Sequence, residues 1–411
     1  MSKNKKIGII VIGIILSTIV ALAIFDYATV FKTDVKWVED LVREEANKPT
    51  GKLRKSDLDK VKVIKNFNVI ENGKYLSLFK NLEEVKIKMY VDNFNFLKDN
   101  KNLKKLIVHS KDDDIESLNG LDQLTNLEEL TVDYVKINNI DIVTNLKNLK
   151  KLNILGEVDD IDALNKLTNL EELTLPKIKQ EDMQMISNFK DLKKLDISGK
   201  IENINELGSL TNLQELSLYN TNIKNIDTLT NIKNLKKLSI WEGEVQDWSK
   251  LGELKNLEYL DIGFSDLDDS ILTYICNLNN LKNLSLMNGK KIKDISSLAK
   301  LKKLACLELS GNQIEDITVL TNLGNLRKLW LDNNNIKDIS SLKDLVNLES
   351  LNLDNNQIKD ISPIKGSEYL EFISCKDNPI EDKEKLQTLI DLADKNNNSN
   401  KNNKNNEEKQ D

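Results

Sequence analysis

A pattern of leucines recurs along most of the chain at spacings of 21 to 24 residues. In one copy, Leu326, Leu329 and Leu331 are followed by Asn334, and isoleucine or leucine then occupies every third position from Ile336. A unit this short cannot bury its own apolar side, so it must stack on neighbouring copies. We therefore predict a stacked repeat structure, although a length of 411 residues alone would suggest two or three globular domains.

Each unit contains three local signals. The alternation in Leu329-Trp330-Leu331 predicts a short strand with two leucines turned inward. Asn334 should bond backbone groups at the bend that follows, and successive asparagines should form a ladder. The three-residue spacing beyond it favours 3₁₀ or irregular turns. These signals predict an α/β fold: a right-handed leucine-rich-repeat solenoid with a parallel β-sheet on its concave face, 3₁₀ or irregular turns on its convex face, and short helical caps.

The first leucine of each unit serves as a marker for the start of a strand. The markers are Leu58, Leu82, Leu103, Leu127, Leu149, Leu170, Leu192, Leu213, Leu235, Leu257, Leu281, Leu304, Leu326, Leu348 and Leu370. We expect residues 26–81 to form an N-terminal helical cap and the first strand, 82–380 the repeats, and 381–394 a C-terminal cap helix. Residues 395–411 are rich in Asn and Lys and are predicted to be a disordered tail.

The N-terminus resembles a membrane-targeting segment. Residues 1–6 carry three lysines, and residues 7–25 form an uncharged apolar run. A run of this length can cross a bilayer as a helix, and the preceding lysines favour a cytoplasmic N-terminus with the repeats outside. The alternative is a cleaved signal peptide with its small-residue site at 21–23. Both interpretations place the repeats outside the cell.

Pairs of charged residues follow the markers and alternate in sign from one unit to the next. The pairs are Glu83-Glu84, Lys104-Lys105, Glu128-Glu129, Lys150-Lys151, Glu171-Glu172, Lys193-Lys194, Gln214-Glu215 and Lys236-Lys237. Neighbouring strands should therefore place opposite charges side by side, and a slip of one unit would bring like charges together. The alternation lapses from Leu257 onwards.

Large apolar side chains stand at positions that should face solvent on the concave side of the repeats. The candidate partner-binding residues are Tyr219, Trp241, Phe264, Met287 and Trp330, rimmed by Asp261, Glu308, Asp332 and Asp354. Grouped exposed aromatic residues are typical anchors of protein interfaces. We therefore predict a protein partner on this face, with a glycan as the alternative.

Residues for catalysis are scarce. His109 is the only histidine, and neither a nucleophile–base set nor a Gly-rich phosphate loop nor a metal-ligand cluster is recognisable. We expect no enzymatic activity and no cofactor. The net charge of −7, with charges of both signs finely mixed, gives no indication of nucleic acid binding.

The repeats resemble those of internalin-like bacterial leucine-rich-repeat proteins. The resemblance is carried by units such as NLRKLWLDNNNIKDISSLKDLVN and by an Ile-x-Asp-Ile step at residues 292–295, 314–317, 336–339 and 358–361. It implies a surface-displayed or secreted recognition protein, often one that binds a host protein. The alternatives are a soluble recognition protein released by signal-peptide cleavage and an intracellular scaffold similar to phosphatase-regulatory repeat proteins.

Overall fold

The computed structural model describes residues 30–33, 35–70, 73–89, 93–110, 115–364 and 369–407. The predicted membrane segment at 7–25 lies outside these ranges. Within them, no helix combines the length and the apolar character that a bilayer crossing requires. The chain divides into two compact units, residues 1–169 and residues 170–411.

The first unit opens with helix α1, Lys36–Glu45, followed by the short helix α2, Lys55–Leu58. Val38 and Val42 are buried on the inner side of α1, and the ring of Trp37 meets Tyr75 edge-on at 6.4 Å. The marker at Leu58 is wrong, because this residue ends α2 instead of starting a strand. The Asp57 carboxylate accepts a hydrogen bond of 2.8 Å from the Arg54 N–H and so caps the helical turn.

Parallel strands in chain order make the sheet of the first unit. They are β1 Val63–Ile70, β2 Glu84–Met89, β3 Lys105–Ser110, β4 Glu129–Asn139 and β5 Lys151–Asp160. The 3₁₀ turns that follow them include Gly73–Leu78, Asn95–Leu97, Leu121–Gln123, Asp141–Asn145 and Asp162–Lys166. Inward positions such as Leu130 and Val132 are fully buried, as the alternation predicts.

The second unit repeats the same coil. Its strands are β6 Glu172–Leu175, β7 Lys194–Ser198, β8 Glu215–Tyr219, β9 Asn222–Asn225, β10 Lys237–Trp241, β11 Glu244–Asp247, β12 Tyr259–Gly263, β13 Asn283–Ser285, β14 Cys306–Glu308, β15 Lys328–Trp330, β16 Ser350–Asn352 and β17 Phe372–Ser374. All pair in parallel, and β9 with β11 form a small second sheet that the sequence did not predict.

The segments between these strands are mainly 3₁₀ turns, as the three-residue spacing predicts. They lie at Gln180–Asp182, Asn205–Ser209, Asp227–Asn231, Leu251–Glu253, Ser296–Lys300, Thr318–Asn322 and Ser340–Asp344. Two are replaced or extended by short α-helices, α3 at Met183–Ile186 and α4 at Ser270–Ile275. Together, the parallel strands, the 3₁₀ turns and the buried leucines confirm the leucine-rich-repeat fold in both units.

Buried asparagines form the predicted ladder at the bend. Asn356 donates to the carbonyls of Leu331 and Leu353 at 2.9 and 3.1 Å and accepts from the Ile336 N–H at 3.0 Å. Equivalent contacts are made by Asn334 and by the half-buried Asn378, whereas Asn312 makes the two donor contacts but its Oδ1 has no partner among the described residues. Each amide therefore satisfies backbone groups of its own coil and of the preceding coil.

A second asparagine ladder, which was not predicted, lies at the exposed residue before most of the marker leucines. Asn347, for example, donates to the Gly324 carbonyl of the preceding coil at 2.9 Å. The same bond is made by Asn81, Asn126, Asn148, Asn169, Asn212, Asn234, Asn256, Asn280 and Asn325. The Asn-Leu pair that recurs at the start of the units could have predicted this second ladder.

The alternating charges form ion pairs between neighbouring coils. They include Lys62–Glu83, Lys105–Glu129, Lys150–Glu128, Lys193–Glu171 and Lys237–Glu215. The lapse after Leu257 is only partial, because Lys282–Glu258 and Arg327–Glu349 continue the series. Water screens these surface pairs and weakens their contribution to stability, so their main effect is on register.

The second unit ends with helix α5, Lys383–Glu407, which buries Leu389 and Ala393 and contacts β17. This helix runs past the predicted end of the cap at Asp394, so the tail predicted to be disordered starts too early. One physical reason lies at Asn396, whose amide donates to the Leu370 carbonyl at 2.9 Å and ties the extra turns to the last coil.

Candidate functional site

The candidate surface lies on the outward side of strands β8 to β16 in the second unit, here called the strand face. The register aligns outward residues into two columns. One column runs from Asp261 through Ser285 and Glu308 to Trp330. The other runs along the strand ends and brings Tyr219 beside Trp241, with Gly263 next in line.

Four predicted residues come together as an aromatic cluster, made of Tyr219, Trp241, Phe264 and Met287. The rings of Trp241 and Phe264 are 5.6 Å apart, and Tyr219 and Phe264 are 42% and 48% exposed. Gly263 makes the packing possible, because a Cβ at this position would lie 3.3 Å from the indole and 3.4 Å from Met287. The cluster is therefore a packed apolar patch that remains open to solvent.

Phe264 adopts a left-handed backbone conformation, with φ of 55°. The equivalent residues of the second unit also have positive φ, and most of them are Asn, Gly or Asp: Asn220, Asn288, Asn333, Asn355, Gly199, Gly311 and Asp377, with Lys177 and Glu242 as the other exceptions. Asparagine tolerates this conformation, whereas a bulky residue without a local hydrogen-bonding side chain is strained by roughly 1–2 kcal/mol. The chain thus holds an exposed phenylalanine at a position that favours asparagine or glycine.

Asp261 is not the solvent-facing residue that the sequence predicted, since only 6% of it is exposed. It lies between neighbouring strands, and the Tyr259 hydroxyl donates to its Oδ2 at 3.1 Å. Its Oδ1 and the nearby Ser285 hydroxyl are both buried, and neither has a partner at hydrogen-bond geometry among the described residues. Polar residues beside it, which the sequence analysis did not single out, are Tyr259 and Ser285.

Electrostatic strain accompanies this burial. Burial raises the pKa of Asp261, and the polar groups of Ser285, Trp241 and Tyr259 only partly oppose the rise. The pKa of Glu308 is also raised, first by burial and then by the negative charges of Asp261 and Asp332. No cation contributes appreciably to either shift, so this part of the strand face is an uncompensated region of negative charge.

Asp332 and Asp354 differ from Asp261 because their carboxylates brace the loops. Asp332 accepts hydrogen bonds from Ser310 at 2.6 Å and Asn352 at 3.0 Å. Asp354 accepts a bond of 2.6 Å from the Ser374 hydroxyl. Trp330, half-buried, stands beside Glu308 on the adjacent strand and about 19 Å from Trp241, four strand spacings away.

Comparison with known proteins identifies the repeats. A family model for two copies of leucine-rich repeats matches residues 324–366. A crystal structure of an internalin from Listeria monocytogenes is 26% identical, with a TM-score of 0.59, covering 87% of this chain and 93% of that one. The chain consists of leucine-rich repeats similar to those of bacterial internalins.

Two further structures share this internalin-like fold. A leucine-rich-repeat protein of Leptospira interrogans has 24% identity and a TM-score of 0.65, covering 82% of this chain and 90% of its own. The functional domain of InlJ from Listeria monocytogenes has 20% identity and a TM-score of 0.55, covering 79% and 74% of the two chains. No curated protein matched the sequence.

His, Cys, Asp and Glu side chains are the groups that could hold a metal ion within the described ranges. No group of three or more His, Cys, Asp or Glu side chains there is arranged to hold a metal ion. His109 lies in the first unit, where its Nδ1 is 2.7 Å from Asp133 Oδ2. Its neighbour Asp133 also accepts the Ser110 N–H at 2.6 Å.

Proposed function

We propose that the chain is a protein-interaction module and that a protein partner binds the strand face around the aromatic cluster. The observation that carries this proposal is Phe264, an exposed aromatic residue held in a strained backbone conformation. Backbone strain of this kind persists where surrounding structure enforces it and is concentrated at functional sites. The proposal involves binding and no catalytic step.

The surroundings of Phe264 support an interface. Trp241 packs against it, and Tyr219 and Met287 extend the apolar area on either side. Aromatic residues clustered near the centre of a surface and rimmed by polar groups provide most of the energy of protein interfaces. Rigid strands hold these side chains in place, which reduces the entropy that binding costs.

Substitution of Phe264 tests whether this residue contributes to the stability of the fold or to binding of the partner. Phe264→Asn places a residue suited to positive φ at this position, so the free energy of unfolding should stay constant or rise, by up to about 1 kcal/mol. Capture of the partner by immobilised full chain should fall at least ten-fold, because the exposed ring is lost. A variant that is less stable, or one that captures the partner unchanged, would contradict the assignment.

A second variant tests whether the partner contacts the strand face from Trp241 as far as Trp330. Trp241→Ala combined with Trp330→Ala should reduce capture of the same partner. Reversing the charges of Lys236 and Lys237 is the matched control, because these residues stand at the strand start and Lys237 pairs with Glu215. The control should lose stability and retain binding. Unchanged capture by the tryptophan variant would remove the strand face from consideration.

We further propose that residues 7–25 anchor the chain in the cell membrane, with the repeats on the extracellular side. The support is the lysine-flanked apolar run of the sequence. Mass spectrometry of the mature N-terminus tests this proposal. Recovery of the intact N-terminus in the membrane fraction is expected, whereas a new N-terminus near residue 24 would identify a secreted protein.

A further inference from the structure

We infer that the region between the aromatic cluster and Glu308 receives a lysine or arginine side chain of the protein partner, next to an apolar residue seated on the cluster. This inference rests on the proposed function and adds the chemistry of the partner. The observations that carry it are the placement of the acids, their unmet hydrogen-bonding capacity and the neighbouring rings.

Strand register brings the acids together. Asp261, Ser285 and Glu308 occupy equivalent positions on three adjacent strands, so their backbones are separated by about 4.8 Å per step. Asp332 lies close enough for its charge to act on Glu308. Three carboxylates thus share one small part of the strand face.

The carboxylates of Glu308 and Asp261 differ in their exposure to solvent. Glu308 is half-exposed and directly available to a ligand, whereas Asp261 lies beneath the surface. The buried Oδ1 of Asp261 and the hydroxyl of Ser285 have no partner at full hydrogen-bond geometry among the described residues, although Ser285 and Trp241 lie near enough to favour the charged form of Asp261. A cation would therefore contact Glu308 and be attracted from below by Asp261, which favours a donor of charge-assisted hydrogen bonds.

The neighbouring rings select among cations. Trp241 and Phe264 present aromatic surface beside the acids, and an ammonium or guanidinium group is attracted to such rings. The apolar stem of lysine or arginine can also lie on Met287 and the indole. The combination of acid, ring and apolar surface fits a basic side chain better than it fits a compact hydrated ion.

The test uses a phage-displayed library of random peptides, selected on the full-length chain. The expected enrichment is for Arg or Lys adjacent to a large apolar residue. The best peptide is then synthesised, and its affinity is measured by fluorescence polarisation against variants of the chain. Replacing its basic residue by norleucine should weaken binding at least ten-fold.

Variants of the chain then separate the two proposals. Glu308→Gln should weaken the peptide at least five-fold, whereas Glu315→Gln, which removes the same charge from the exposed turn of the same repeat, should have no effect. Peptides that depend on Trp241 but not on Glu308 would overturn this inference and leave the proposed function standing. Enrichment of peptides without basic residues would contradict the inferred site for a basic side chain. Peptides that bind independently of both Trp241 and Glu308 would contradict that site and also the proposed binding function of the strand face.

Discussion

Asp57 and Asp261 are both buried carboxylates, but their pKa values shift in opposite directions. Asp57 is 2% exposed, yet the Lys48 ammonium at 2.7 Å and the Arg54 N–H at 2.8 Å compensate it. Burial acts against the charge of Asp57, but these partners outweigh it and lower the pKa. Burial raises the pKa of Asp261, and the uncharged donors Ser285, Trp241 and Tyr259 do not outweigh it in the absence of a cation.

The raised pKa of Asp261 predicts that Asp261→Asn stabilises the protein at neutral pH. The folded state takes up a proton on Asp261 more readily than the unfolded chain, whose pKa is near the ordinary 3.8. Wild type therefore recovers stability relative to the variant as the pH falls towards that value. Thermal unfolding should show a higher midpoint for the variant at neutral pH, with the difference shrinking in acid.

Asp332→Asn is the control for this prediction, because both carboxylate oxygens accept hydrogen bonds, Oδ1 from Ser310 and Asn352 and Oδ2 from Asn333, and an amide keeps only one of these oxygens. Loss of an acceptor there should lower the midpoint. If Asp261→Asn also lowered the midpoint at neutral pH, the buried carboxylate would be contributing to folding and the electrostatic interpretation would be wrong.

At the scale of the repeat, the asparagines of both ladders donate hydrogen bonds to backbone carbonyls, but one ladder is buried and the other is exposed to water. Asn356 is buried and serves two carbonyls and one N–H, whereas Asn347 is exposed and serves one carbonyl. Water can replace the bond of Asn347 but cannot reach the partners of Asn356. The contribution of such asparagines to the free energy of unfolding therefore depends more on how buried they are than on how many there are.

Alanine substitution should reveal this difference. Asn356→Ala is expected to reduce the free energy of unfolding by about 1–3 kcal/mol, and Asn347→Ala by about 0.5 kcal/mol. Urea denaturation of the full chain, followed by circular dichroism, measures both. Equal losses for the two variants would show that the outer bonds are as important as the inner ones.

The repeat could be predicted well because its signals are fixed by backbone geometry. Alternating leucines and the bend asparagine leave few alternatives, and Tyr219 and Phe264 are exposed as predicted. Predictions failed where neighbouring side chains decide the outcome. Leu58 was misplaced because Asp57 caps a helical turn, and the burial of Asp261 depends on residues of adjacent strands that a single repeat does not display.

At the scale of the whole molecule, helix α5 covers the last strand of the second unit. Its buried residues Leu389 and Ala393 lie against β17, which would otherwise present an unpaired edge. The helix continues beyond the contact of Asn396 with Leu370, and these later turns add no buried residue among those whose side chains are described.

Truncation should separate the two parts of α5. A chain ending at Asp382 loses the cover of β17 and is expected to self-associate, which size-exclusion chromatography with light scattering would detect as a several-fold increase in mass. A chain ending at Ser399 keeps Leu389, Ala393 and Asn396 and should behave like the full chain. Identical elution of the two truncations would show that α5 does not protect the edge.

The exposed asparagine ladder has a consequence for the history of such a protein. Each amide bonds to the coil before it, so the coils that carry this asparagine share the same connection to their predecessors, whereas Asp191 and Lys303 interrupt the series. Duplication or loss of one coil within an uninterrupted run would leave that connection intact at the new junction. A change in the number of such coils should therefore cost little of this bonding.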